Sequence, residues 1–193
     1  MMNAYTINFD SIFTITDKQF YQLCTNNPEL VLERNRKGEL IIMSPTGGET
    51  GKKNAELIVE FGIWNRQKKL GYIFDSSTCF RLPMGSNRSP DVAYIKKERW
   101  DKLTEEEKIK FPPIAPDFVL ELMSNTDSLK MLQEKMAEYM ESGVKLGWLI
   151  NPDKKEVEIY RQGKEKKILS NPNSLSGEEI LPDFVLDLGL IWE

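Results

Sequence analysis

The run Phe118-Val119-Leu120-Glu121-Leu122 is apolar at every position but one. It does not alternate, so it is not a strand with one wet face; it is the kind of strand that is covered on both sides. A chain containing it needs layers above and below a sheet, which is the α/β sandwich class. It also needs a partner for Glu121, because an unpaired carboxylate among apolar neighbours is costly to bury. A metal ion, a lysine or an arginine has to reach it.

The rest of the chain supplies the layers. Thr16 or Asp17 caps a short helix through Phe20, Tyr21 and Leu23 that ends near Asn26-Asn27-Pro28. Leu30-Val31-Leu32 and Leu40-Ile41-Ile42-Met43 flank Asn35-Arg36-Lys37-Gly38 as a hairpin. From Glu49 to about Lys69, Ala55, Ile58, Val59 and Ile63 recur at helical spacing, and Gly71 sits where that helix would end. Tyr72 to Phe74, Cys79 to Leu82 and Pro90 to Ile95 read as strands, and Trp100 to Phe111 as one charged amphipathic helix closed by Pro112-Pro113. Ser128 to Glu141 is the second long helix, stopped by Gly143. Gly147 to Ile150, Glu156 to Tyr160 and Lys166 to Leu169 complete the strands.

The fold expected is a three-layer α/β sandwich, a mixed β-sheet flanked by helices and partly parallel around Asp91 and Glu121. The interval between these two acids leaves room for a strand, a helix and a return crossover. At 193 residues the chain reads as one domain, with an N-terminal helical extension over 1–29, a core over 30–170 and a C-terminal packing segment over 171–193. Pro182-Asp183-Phe184-Val185-Leu186-Asp187-Leu188 nearly copies Pro116 to Leu122. Seven residues are too short for a repeat unit, and no helix follows the second copy, so it is assigned to packing.

Composition narrows the chemistry. The chain has no histidine, which removes His-ligated zinc, Ser-His-Asp and Cys-His catalysis. Acid and base work falls to carboxylates, Lys or Tyr. Cys24 and Cys79 form no CxxC and no disulfide framework, so a reducing cytoplasm is the expected setting. Apolar runs stop far short of a membrane span, and Met1 to Phe13 has no charged-then-apolar leader pattern. The net charge of −4 excludes a strongly basic nucleic-acid coat while leaving room for a local cationic face.

Acids that interrupt strands mark the candidate site. Asp91 opens a strand directly after Pro90, and Glu121 lies inside another. On the helix that follows, Leu129, Leu132, Met136, Tyr139 and Met140 form an apolar stripe, with Lys135 at its Tyr139 edge. Glu134, Glu138 and Glu141 are expected to face solvent. Two carboxylates and a lysine at the rim of a core suit magnesium-assisted phosphodiester hydrolysis. Magnesium takes oxygen ligands and keeps several waters, the metal activates a bound water, and the ammonium orients that water or offsets developing charge.

At these residues the sequence resembles a known superfamily. Pro90-Asp91 followed by Glu121 is similar to the PD-(D/E)XK, or restriction-endonuclease-like, nucleases. With Met43-Ser44-Pro45-Thr46-Gly47-Gly48, Arg88-Ser89-Pro90-Asp91, Pro116 to Glu121, Ser124, Asp127, Lys135-Met136, Tyr139, Gly143-Val144 and Trp148 to Pro152, the chain resembles the Uma-type endonucleases of bacteria from Leu30 to Trp192. The resemblance implies a restriction-endonuclease-like fold, Asp91 and Glu121 as ligands to Mg²⁺ with Mn²⁺ as a substitute, DNA as substrate, and a homodimer as the pairing that cuts two strands. The superfamily's Lys, two residues after the Glu, is here Met123; in the Uma-type branch it comes from the following helix, where Lys135 matches. An acid on the first long helix is also implied, with Glu49 preferred over Glu56. Thr50 stands where many members have His, and Asn125 where many have Pro.

Plainer roles compete with these. Asp91 can start a strand, Glu121 can pair with a cation without metal, Lys135 can snorkel, and Ser124 and Asp127 can cap a helix. Met123, Thr50 and the acidic balance also suit a non-catalytic nucleic-acid or protein binding module that keeps the fold. A two-carboxylate glycosidase has no use for Lys135 and no evident aromatic sugar cleft. For the nuclease, several of Lys52-Lys53, Arg66 with Lys68-Lys69, Arg81 with Arg88, Lys154-Lys155 and Lys164 with Lys166-Lys167 have to gather on one face.

Overall fold

A computed structural model describes residues 4–10 and 12–193. Residues 1–3 and 11 of the expected N-terminal extension, and with them part of the leader reading of Met1 to Phe13, lie outside the described residues. The central sheet has six strands in the order β11 (Lys167–Ser170), β10 (Glu156–Arg161), β9 (Leu146–Asn151), β8 (Phe118–Leu122), β7 (Val92–Lys96) and β4 (Gly71–Asp75). Its one parallel pair is β8 with β9, and every other neighbour is antiparallel. The sheet is thus partly parallel at Glu121, as expected, where β8 meets β9, and the expectation is corrected only on the Asp91 side. β7 and β8 run antiparallel, because the chain between them turns back through two short helices without crossing the sheet.

Strand alternation assigns each side chain its layer. Val92, Tyr94, Phe118, Leu120 and Trp148 face α2 (Gly48–Lys68), whose Leu57, Phe61 and Trp64 complete that half of the core. Ala93, Ile95, Val119 and Leu149 face the other way, toward Met136 and Tyr139 of α5 (Leu129–Glu141). All five residues of β8 are buried, as an unalternated apolar run requires.

A second sheet lies beside α5, in the order β1 (Ala4–Ile7), β3 (Leu40–Met43), β2 (Val31–Arg34), β6 (Asn87–Arg88) and β5 (Phe80–Arg81). α1 (Asp17–Asn26) closes it, with Phe20 packed among Ile15, Leu32, Leu40 and Cys79. Thr16 caps α1 as expected, in a reciprocal pair with Gln19. The N-terminal stretch is more than helical, since β1 adds an edge strand to β3.

Two further expectations change. Trp100 to Phe111 is not one helix but α3 (Lys97–Trp100) and α4 (Glu105–Ile109), because Thr104 starts a new capping box with Glu107. α2 ends on Lys69, in the left-handed region at φ 56°, and Gly71 instead opens β4. The two echoed heptapeptides share letters but not roles. Phe118 belongs to the central strand, whereas Phe184 packs its ring 4.4 Å from Phe61 in the connection between β12 (Ser174–Ser176) and β13 (Val185–Asp187), which pair as a small antiparallel sheet. The chain closes on α6 (Gly189–Trp192).

Candidate active site

The pairings Val92 with Leu120 and Ala93 with Val119, carried one step further, set Asp91 opposite Glu121. Directly opposed residues of an antiparallel pair share a face, and here that face is α5's. The Asp91 Oδ2 accepts the main-chain N–H of Leu122 at 2.7 Å.

Lys135 reaches across from α5. Its Nζ lies 2.8 Å from Glu121 Oε1 and donates to Oε2 at 3.0 Å, while the Tyr139 hydroxyl donates to Oε1 at 2.9 Å. Glu121 and Lys135 are 3% and 6% exposed, so the lysine is inside the core rather than at its rim. The structure thus brings Asp91, Glu121 and Lys135 together.

It does not bring Glu49 to them. Glu49 is exposed on the first turn of α2 and takes no part in lining the cleft, and neither does Glu56. The residues α2 turns toward the site are Thr50 and Asn54, one helical turn apart. Asn54 Nδ2 donates to Asp91 Oδ1 at 3.3 Å, and its own Oδ1 is buried without a partner.

Glu33 of β2 is a member of the cluster that sequence reading passes over. It is 2% exposed, lies 2.9 Å from Lys135 Nζ and accepts the Ser89 N–H at 2.8 Å. Arg88 of β6 pairs with Glu33 at 2.9 Å and with Glu138 at 2.8 Å. Glu138 is therefore not the solvent-facing acid expected on α5, because its carboxylate turns inward to Arg88. The available signal for Glu33 is the one that found Glu121, an acid within a strand.

The result is a buried chain of alternating charge, Glu121, Lys135, Glu33, Arg88 and Glu138, with Asp91 beside it. Burial pushes the Glu121 carboxyl up to about 8 against the pull of Lys135, with Asp91 and Glu33 adding to the rise. Asp91 is raised chiefly by burial, which the Leu122 N–H and Lys135 only partly offset. For Glu33 burial also acts upward, but Lys135, Arg88 and the Ser89 N–H prevail and its carboxyl is lowered. Burial alone would lower the Lys135 ammonium, yet Glu121 and Glu33 hold it above the usual lysine range. With the ammonium touching both oxygens of Glu121, the geometry favours the ionised pair. Four carboxylates then share two cations, an excess of negative charge.

Among the described residues no three acidic, thiol or imidazole side chains close on one metal ion. Magnesium does not require three, since it is held by one or two carboxylates and keeps its waters. Asp91, Glu121 and the orphaned Asn54 Oδ1 form an all-oxygen set of that kind, so the residues present fit the ion.

The site opens into a cleft of about 1060 Å³ between α5 and the second sheet. Its rim carries Glu29, Glu39, Glu134 and Glu141 against Arg36 and Lys37. Of the basic runs singled out in the sequence for phosphate contact, Arg88 alone lines it, beside Arg36 and Lys37, and its guanidinium is taken up by Glu33 and Glu138. Arg81 pairs with Asp17, Lys68 with Asp183 and Lys166 with Glu158. Ser124 and Asp127 bond each other at the entry to α5, with Ser124 N–H and Oγ each 2.8 Å from Asp127 Oδ2. Trp148 is core, and Trp192 donates to the Pro172 carbonyl.

The sequence model of the Uma2 family, described as "Putative restriction endonuclease", matches residues 17–189. The chain belongs to the Uma2 family. Its fold is shared by a crystal structure described as "a putative nuclease belonging to DUF820" from Anabaena variabilis, with a TM-score of 0.70. The match covers 85% of the Uma2 chain and 90% of that chain at 20% identity, a level that speaks to fold. None of the curated proteins matches. The family and the restriction-endonuclease-like fold expected from the sequence both hold, and the family is one of nucleases, enzymes of phosphodiester hydrolysis. No helix of the described residues is long and apolar enough to cross a membrane.

Proposed function

We propose that the chain is a magnesium-dependent endonuclease that hydrolyses phosphodiester bonds of DNA, with Mn²⁺ able to replace Mg²⁺. The observation that carries this reading is Lys135 Nζ standing 2.8 Å from Glu121 on the face that Asp91 shares. Asp91 and Glu121 hold the ion, and Asn54 Oδ1 takes the place of an acid on the first helix. Held there, a magnesium ion would supply Lewis-acid chemistry, offsetting charge on a phosphate oxygen and lowering the pKa of water. Lys135 keeps a fixed ammonium beside the reacting phosphate, where it orients the nucleophile and offsets charge that develops on the phosphoryl oxygens. Tyr139 holds the Glu121 carboxylate in its orientation. Two copies acting together, one per strand, belong to the same proposal.

A second reading draws on the cleft's acidic rim. A module that keeps the fold but binds a protein needs no cationic track, whereas DNA has to cross Glu29, Glu134 and Glu141 to reach the lysine. A panel of supercoiled, linear and single-stranded DNA, with an RNA arm, incubated with Mg²⁺ or Mn²⁺ separates the two. The nuclease reading expects divalent-dependent cutting by wild type that is lost in Asp91→Asn, Glu121→Gln and Lys135→Ala, and sedimentation reports whether two copies pair on the substrate. No cutting of any nucleic acid by folded wild type leaves the binding module.

A further inference from the structure

Both oxygens of Glu121 are already in use. Lys135 Nζ lies 2.8 Å from Oε1 and 3.0 Å from Oε2, and Tyr139 holds Oε1 as well. For Glu121 to bind a cation, Lys135 has to release at least one of them. An ammonium that lets go of its only anion inside a core is strongly disfavoured, so a lysine paired with Glu121 alone would compete with the metal.

Lys135 is not paired with Glu121 alone. Glu33 Oε1 lies 2.9 Å from the same Nζ, and the Ser89 carbonyl accepts from it at 3.2 Å. Glu33 comes from the second sheet, not from β8 or α5. The Arg88 guanidinium donates to its other oxygen at 2.9 Å and the Ser89 N–H to the first at 2.8 Å. It therefore stays in place whatever Glu121 does.

We infer that Glu33 is a positioning residue that retains Lys135 when Glu121 turns to a divalent cation, and so sets the cation affinity of the Asp91 and Glu121 pair. This rests on the metal-dependent reading above. It gives the second sheet a part in the chemistry, since β2 supplies the counter-ion that frees the ligand on β8.

The test uses Mn²⁺ alone, without nucleic acid, titrated into the full chain by calorimetry and followed separately by thermal shift. Glu33→Gln is expected to weaken Mn²⁺ binding by about tenfold or more, and Glu33→Asp, which keeps the charge, to weaken it less. Lys135→Met removes the competitor and is expected to tighten binding. In the Lys135→Met background, Glu33→Gln should then matter several-fold less, because the lysine it restrains is gone. Equal losses in the two backgrounds mean that Glu33 only attracts the cation at a distance, and overturn the inference while leaving the metal reading intact. If Glu33→Gln fails to fold, Lys135→Met decides alone, since unchanged or weaker Mn²⁺ binding there refutes the competition. Wild type that takes up no Mn²⁺ refutes both the metal reading and this inference.

Discussion

Asp91 takes the main-chain N–H of Leu122 at 2.7 Å, so the strand that carries Glu121 also fixes the carboxylate opposite it. An asparagine at position 91 keeps an oxygen for that N–H, loses the charge, and turns its NH₂ toward Asn54, whose unpartnered Oδ1 can accept it once that amide flips. Because burial already raises the Asp91 carboxyl, removing the charge relieves a desolvation cost. Asp91→Asn is therefore expected to unfold at or slightly above the wild-type temperature, while its metal-dependent cleavage falls roughly 100-fold or more, the scale for losing one group aimed at transition-state charge. Thermal unfolding and initial cleavage rates measured on one preparation check this. A fall in stability that parallels the fall in rate would make Asp91 a structural residue.

Tyr139 is fully buried and its hydroxyl donates to Glu121 Oε1 at 2.9 Å. Tyr139→Phe leaves one lone pair of a buried carboxylate without a donor, at about 1–3 kcal/mol. For a chain of this size that lowers the unfolding midpoint by several degrees, at ~2–4 °C per kcal/mol. Cleavage should fall by less than it does in Asp91→Asn, since Tyr139 orients a ligand and does not meet the phosphate. Calorimetry and rate assays on the variant test both parts.

Glu121 was legible in the sequence as an acid inside an apolar strand and Asp91 as an acid at a strand start, whereas Lys135 beside an apolar stripe reads on helix geometry as a snorkelling side chain, and only the resemblance to the Uma-type endonucleases marks it. Glu33 was not legible, because Leu32-Glu33-Arg34 reads like the half-wet arm of a hairpin, and its burial depends on how the second sheet docks against α5. Glu138 was misplaced for the same reason: helical periodicity gives its direction, but only tertiary packing places Arg88 there. The helix expected over Trp100 to Phe111 splits at Thr104, whose Thr-Glu-Glu-Glu run carries a capping-box signal that charge patterning masked. The strand direction at Asp91 was undecidable from spacing, since the same interval accommodates a crossover or a return over short helices.

On α2 the structure turns Asn54, and not Glu49, toward the site. Asn54→Ala removes the donor to Asp91 Oδ1 and the orphaned oxygen together. It should reduce cleavage by about tenfold or more, in line with loss of a hydrogen bond to a charged group. Glu49→Ala, on an exposed helical turn, is expected to cleave at close to the wild-type rate. The opposite order of effects would return Glu49 to the site.

Asp117 is fully buried at the opposite end of β8. It accepts the Lys96 N–H at 3.0 Å and pairs with Arg99 at 2.9 Å and Lys145 at 3.0 Å. Burial alone would raise its carboxyl, but these partners outweigh it and hold it below the ordinary aspartate value. A lowered folded value stabilises the fold fully above the unfolded one, and that contribution is lost as pH falls through the folded value. Asp117→Asn should cost about 2–3 kcal/mol near neutrality, less than a fully buried pair because both cations reach solvent. The gap to wild type should stay constant down to about pH 5 and close below about pH 4. Denaturant titrations across that range measure it, and a gap that widens in acid contradicts the ion-pair account.

Gly71 tests how the edge strand β4 sits on β7, the strand that follows Asp91. It pairs with Lys96 at the end of β4, and a Cβ there would lie 2.1 Å from the Ile95 carbonyl oxygen and 2.5 Å from the Tyr94 ring. The carbonyl is main chain and Tyr94 is core, so neither retreats cheaply, and Gly71→Ala should cost about 3 kcal/mol or more. Gly62, in the middle of α2, has nothing within 4 Å of the same atom, and Gly62→Ala should stabilise by about 0.5–1 kcal/mol through helix propensity. The two substitutions add the same methyl group with opposite expected signs, so denaturant midpoints separate a steric cause from a general intolerance of change. A Gly71→Ala protein as stable as wild type would mean that β4 does not meet β7 in this register.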